Sequence, residues 1–175
     1  TFAGGSFLDA SCTVVINPEP SVSAGNDGTF CSGTATLHLT ATTAATTFLW
    51  TGPGITGANQ AQQNPSIPGA TTAENGLYQV TVTDALNCTN SATTTVGIYA
   101  LPPVVLTVNN PNNFICTGAS YNLSASGANT YSWTGGSTAN FITINSAGTY
   151  ILTGTESVHN CSNTDQVVIT AASSP

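Results

Sequence analysis

The chain contains no lysine and no arginine. Ordinary composition would supply about 20 basic residues at this length. Seven carboxylates stand alone and give a net charge of −7. A chain without a cationic side chain has nothing with which to displace phosphate counterions, which argues against nucleic acid as a partner. The same deficit argues against an anionic membrane surface. No apolar run approaches the length that crosses a bilayer, so no membrane insertion is expected. No signal peptide is evident, and the chain reads as a mature or excised segment with its targeting signals elsewhere or removed.

Other chemistry is missing too. The five cysteines include no CxxC pair, and only two histidines are present, so zinc-ligand spacing is absent. His38 falls on the outward side of a predicted strand and His159 in a turn, and no serine has a nucleophile-elbow context. Asp84 and Glu156 occupy equivalent places in different repeats, so they are not expected to meet as a glycosidase pair. A calcium site near Asn26-Asp27 lacks the dense acidic loop that calcium requires. The expectation is therefore no catalytic residue, no metal, no cofactor and no enzyme.

What the sequence has in quantity is threonine, serine and asparagine, at 31, 17 and 17 residues. Such a Thr-rich, Lys-poor and Glu-poor composition favours strands over helices. It also holds a repeat. Cys116-Thr-Gly, Leu123-Ser-Ala125, Tyr131-Ser-Trp133-Thr-Gly135, Gly148-Thr-Tyr150 and Cys161 follow in the order already set by Cys31-Ser-Gly, Leu39-Thr-Ala41, Phe48-Leu-Trp50-Thr-Gly52, Gly76-Leu-Tyr78 and Cys88. The Trp, Tyr and closing Cys recur at offsets of 83, 72 and 73 residues. Two copies of one unit with loop insertions account for this. Pro18-Glu-Pro20 and Pro102-Pro103 read as stiff spacers. They divide the chain into residues 1–17, the end of a preceding or incomplete repeat, then 18–100 and 101–175.

Period-two alternation places Leu37, Leu39 and Ala41 on one strand face, Phe48 with Trp50, and Tyr78 with Val80 and Val82. Tyr121, Leu123 and Ala125, then Tyr131 with Trp133, and Tyr150 with Leu152 repeat the pattern. First strands are expected near Ser21–Ala24 and Val104–Val108, and last strands at Ser91–Ile98 and Asp165–Thr170. The fold class is all-β, with two tandem Ig-like β-sandwiches. Trp50 and Trp133 are predicted core aromatics rather than exposed sugar platforms. Tyr78 and Tyr150 are predicted to act as the tyrosine corner of each sandwich.

Small units gain from covalent staples, and widely spaced cysteines suggest disulfides formed in an oxidising, extracellular space. The matched positions suggest bonds within each unit, Cys31–Cys88 and Cys116–Cys161. Cys12 is left unpaired or intermolecular. Asn87, Asn122 and Asn160 begin N-glycosylation triplets, which mean little in a bacterial source. Asp9, Asp84 and Glu156 each precede a closing cysteine and read as turn-forming carboxylates.

The run Pro20-Ser-Val-Ser-Ala-Gly25-Asn-Asp27-Gly-Thr-Phe-Cys31-Ser-Gly, the Phe/Tyr-x-Trp strand, Gly-x-Tyr and the closing acidic residue before Cys together resemble the Ig-like, PKD-like repeats of Bacteroidota cell-surface proteins. These include the long gliding-motility adhesins exported by the type IX route. Unit two departs from the pattern where Asn110–Asn113 replaces Ala-Gly-Asn-Asp. The resemblance covers nearly the whole chain and implies architecture and an extracellular or cell-surface location. The function expected is a structural or adhesive module of a surface fibre, with polymerisation into a filament through residues 1–17 as an extension. A carbohydrate-binding module of a secreted protein is the alternative. Expected partners are neighbouring repeats or subunits of the same protein, with a glycan or surface ligand as the other class.

Overall fold

The computed structural model describes residues 15–110 and 112–172. The expectations for Asp9 and Cys12 lie outside these residues. Among the described residues, fourteen strands and one 3-10 turn follow in order. In the first half β1 is Val22–Asn26, β2 Thr29–Cys31, β3 Leu37–Thr43, β4 Thr47–Thr51, β5 Ser66–Ile67, β6 Gly76–Thr83 and β7 Thr89–Tyr99. Sheet β1-β3-β5 packs on sheet β2-β7-β6-β4. In the second half β8 is Val105–Val108, β9 Phe114–Ile115, β10 Tyr121–Ser126, β11 Thr130–Trp133, β12 Phe141–Ile144, β13 Gly148–Thr155 and β14 Ser162–Ala171. The sheets are β12-β10-β8 and β11-β13-β14-β9. Each half thus has the same seven-strand order, and the chain is two tandem Ig-like β-sandwiches.

The alternation of side chains builds the cores. In β3 buried and exposed residues alternate from Leu37 to Thr42, and in β6 Tyr78, Val80 and Val82 point inward. The first core joins Leu37, Leu39, Trp50, Tyr78, Val80, Val82, Val96 and Ile98. The second is leaner, with Ile115, Leu123, Trp133, Ile144, Leu152 and Ile169 at its centre. Each Trp places its indole N–H on a loop carbonyl, Trp50 on Gln63 at 3.3 Å and Trp133 on Ala139 at 2.8 Å. A buried indole is satisfied in this way without leaving the core.

Two short strands escape the alternation. β2 runs parallel to β7, with Cys31 opposite Tyr99, and β9 runs parallel to β14, with Ile115 opposite Ala171. Both sit at the end of the sandwich where the last strand finishes. This placement overturns the within-unit disulfides. Cys31 lies beside Tyr99, whereas Cys88 precedes Thr89 at the other end of the same strand. Eleven extended residues separate the two ends by about 35 Å. A disulfide needs its Cα atoms within about 7 Å. The ten residues of β14 likewise separate Cys116 from Cys161. The structure instead bonds Cys31 to Cys161, with Cα atoms 5.6 Å apart, and leaves Cys88 and Cys116 as thiols.

Candidate functional site at the joint of the two sandwiches

The first sandwich ends at Tyr99 and the second begins at Val105, with Pro102-Pro103 between them. Proline stiffens this connection, and the second sandwich grips it. Asn163 donates its amide to the Pro102 carbonyl at 3.1 Å. Gly127, at φ +89°, would place a Cβ 1.9 Å from the Pro103 carbonyl oxygen, so only glycine permits the approach. The first sandwich grips its own leading segment in the same manner, through Asn90 and the Pro20 carbonyl at 2.9 Å.

Two further contacts close the joint. One is the Cys31–Cys161 disulfide, which crosses from the end of β2 to the turn before β14. The other stacks the Tyr99 and His159 rings, with centroids 3.4 Å apart and planes 18° from parallel. Cys161 is fully buried there.

The turn that presents His159 and Cys161 is organised by Glu156. Its carboxylate accepts the backbone N–H groups of Val158, His159 and Cys161 at 2.8, 2.6 and 3.2 Å. Asn160 takes the left-handed conformation at φ +58°, which asparagine tolerates better than most residues. Partial removal from water opposes the Glu156 charge. The three backbone donors and the neighbouring His159, at 3.6 Å, together outweigh it and hold the carboxyl below its usual range. Asp84 builds the matching turn in the first sandwich, accepting Leu86 and Cys88 N–H groups at 2.9 and 2.8 Å, with Asn87 at φ +63°.

The remaining singled-out residues lie apart from the joint. Trp50, Trp133 and Tyr78 are buried, and Tyr150 is half-buried at the edge of its core. Tyr78 places its hydroxyl 2.8 Å from the Glu74 carbonyl and 2.7 Å from that of Pro53, sharing one proton between them. Tyr150 reaches the Ser146 carbonyl at 2.9 Å, again four residues upstream. Burial first, and then the Glu74 charge, push the Tyr78 phenol up to about 12. His38 places Nδ1 2.7 Å from the Asp27 carboxylate. Among the described residues no hydroxyl hydrogen-bonds its other ring nitrogen, so no nucleophile completes a relay there. A shallow open groove of about 720 Å³ in the second sandwich is lined by Asn129, Thr130, Tyr131, Thr138 and Asn140. No group of His, Cys, Asp and Glu side chains suited to a metal occurs among the described residues, and no described helix is long and apolar enough to cross a membrane.

Sequence reasoning missed the joint. Tyr99 and His159 carry no pattern in common, and Tyr99 has alanine at its place in the second unit. The usable signal was the position of Cys31 at the far end of the last strand, which becomes apparent only once β2 is known to pair with β7.

No protein-family model matches the chain, and no curated relative matches it. Solved structures do. The crystal structure of murine CEACAM1b matches over 88% of this chain and 100% of its own, at 13% identity and a TM-score of 0.42. The N-terminal eight Ig domains of Down Syndrome Cell Adhesion Molecule match over 88% of this chain and 24% of that one, at 13% identity and a TM-score of 0.48. The amphioxus IgVJ-C2 molecule matches over 81% of this chain and 99% of its own, at 13% identity and a TM-score of 0.35. These are likenesses of fold, and they assign no ligand.

Proposed function

We propose that the chain is a structural and adhesive module of an extracellular surface fibre or long repeat adhesin, of the kind found in type IX-exported Bacteroidota surface proteins. Its two sandwiches, over residues 18–100 and 101–175, serve as spacers joined at a fixed angle. The single observation that carries this reading is the joint: a disulfide, an aromatic stack and a gripped Pro-Pro linker converge on one boundary. A spacer that must transmit reach needs one domain locked to the next. A disulfide persists in an oxidising exterior. The lack of lysine and arginine also removes every cleavage site for trypsin-like proteases.

The test is made on cells that produce the protein. Antibody to the sandwiches should label extended surface structures on intact, unpermeabilised cells. Labelling that appears only after permeabilisation refutes the reading. Growth into a filament through residues 1–17 is tested separately under reducing conditions, where deletion of those residues should abolish any polymer while both sandwiches stay folded.

The carbohydrate-binding alternative rests on the groove around Asn129 and Asn140, whose amides and hydroxyls with the flanking Tyr131 suit a sugar. Retention on a glycan array that is lost in Asn140→Ala would favour it. With Trp50 and Trp133 buried, neither is free to stack on a sugar ring.

A further inference from the structure

Superposing the repeat onto the joint leaves two half-joints. Strand pairing sets Tyr78 opposite Thr94 and Tyr150 opposite Val167, so the last strands align at an offset of 73 residues. Cys88 then corresponds to Cys161, Leu86 to His159 and Ala172 to Tyr99. β2 and β9 align Cys31 with Cys116. Cys88 sits in a preformed carboxylate-held turn like that of Cys161. Cys116 sits in a turn closed by Ala119 N–H on its carbonyl at 3.0 Å, as Thr34 N–H closes on Cys31 at 3.3 Å. Each thiol is less covered than its bonded counterpart. Cys88 is half-buried where Cys161 is buried, and Cys116 is exposed where Cys31 is half-buried. Leu86, in the place of the stacked His159, is 61% exposed. One end of the molecule therefore carries an uncovered copy of the second sandwich's contact, and the other end an uncovered copy of the first's.

We propose that Cys88 and Cys116 are the two halves of a second joint of the same kind, each bonding another unit of this repeat, so that a second copy of this chain is taken head to tail through Cys116–Cys88. The exposed Leu86 side chain is covered in that joint by the partner's Ala172 end. The chemistry is disulfide exchange with an organic disulfide such as oxidised glutathione. The Cys116 thiolate attacks one of its sulfurs, forming a mixed disulfide and releasing one glutathione thiolate. The Cys88 thiolate of the second copy then attacks the Cys116 sulfur and releases the other. Two protein thiols are oxidised, one glutathione disulfide is reduced to two thiols, and the two protons given up by the protein thiols end on the two glutathione thiols. The proposal deepens the spacer reading by naming its partner. It rests on that reading for its purpose only, because its chemistry stands on the repeat and the observed joint.

The test uses the full chain carrying Cys12→Ser, with Cys31–Cys161 intact, in a glutathione redox buffer. Crossed peptides are counted after chymotryptic digestion, since trypsin has no site. Random pairing would give Cys88–Cys116 half of all intermolecular bonds. The proposal expects a heterotypic to homotypic ratio at least threefold above random, and a ladder of multimers that collapses on reduction. Random or homotypic pairing overturns it, as does a chain that stays monomeric, or a Cys88–Cys12 bond in the chain with Cys12 restored. A second variant, Leu86→His with Ala172→Tyr, rebuilds the stack at the open joint and should raise the heterotypic yield several-fold at unchanged thiol reactivity. No gain in that variant refutes the alignment of the half-joints, while surface labelling of cells would still judge the spacer reading by itself.

Discussion

Glycine and tyrosine make one local machine in the first sandwich. Gly52 follows the core Trp50 by two residues and has φ +152°, and a Cβ there would lie 2.4 Å from the Tyr78 ring. Its counterpart Gly135 has φ +97° and no atom within 4 Å of a built Cβ. Gly52→Ala should therefore lower unfolding stability by about 2–3 kcal/mol, through ring displacement added to backbone strain. Gly135→Ala should cost only the strain, about 1 kcal/mol. Denaturant melts of the two variants check this, and equal losses would show that the Tyr78 ring yields freely. The Tyr78 phenol adds a pH dependence. Its folded pKa is raised to about 12, above the usual value of about 10. The neutral phenol thus contributes stability that is fully present below pH 10 and lost as pH rises toward 12. Tyr78→Phe should lose about 1 kcal/mol at neutral pH with the hydroxyl's hydrogen bond, and it should flatten the alkaline fall in stability. An unchanged alkaline melt would place the titration elsewhere.

Among the elements, the turn before β14 should be the acid-sensitive part of the joint. The folded pKa of Glu156 is lowered, so its contribution is present above the usual carboxylate value of about 4.3 and is lost as pH falls through the lower folded value. Acidification over that window should loosen backbone amide protection at Val158, His159 and Cys161. Glu156→Gln should show weaker protection throughout with no step in this range, as read by hydrogen exchange. A step of equal size in the variant would exclude the carboxylate. The role of such turns was legible in sequence, because Asp84 and Glu156 precede a closing cysteine, as were the long strands with Leu39, Tyr78, Leu123 and Leu152 in strict alternation. β2 and β9 were not, since two or three residues carry no period. Missing them misplaced Cys31 and Cys116 by the length of a strand, and the disulfide partners were wrong for that reason alone. Tertiary placement, not local propensity, decides which cysteines meet.

At the scale of the whole molecule, the question is what fixes the angle between the sandwiches. Five residues, 100–104, connect Tyr99 to Val105. Two of them are proline, but rotation about the remaining ψ angles is enough to swing one sandwich against the other. The non-covalent contacts at the joint are few: the Tyr99–His159 stack and the Asn163 amide on the Pro102 carbonyl. A partly exposed aromatic pair contributes about 0.5–1.5 kcal/mol and a hydrogen bond about 1 kcal/mol. Their sum leaves a measurable open population, and relative motion is the default for domains joined by a small interface. The Cys31–Cys161 bond adds a second covalent tether beside the first, about one strand spacing away because Cys31 pairs with Tyr99, and two tethers limit the swing that one allows. Cys161 is fully buried, so a reductant reaches it slowly, and paired Cys31→Ser and Cys161→Ser substitutions are the cleaner probe. Small-angle scattering should then pass from one elongated shape to a broadened distribution of end-to-end distances. Far-UV circular dichroism should stay the same, because the bond lies between the cores and within neither. A scattering profile that does not change would assign the angle to the Pro-Pro linker and its seat against Gly127, and would remove the disulfide from the mechanics of the joint.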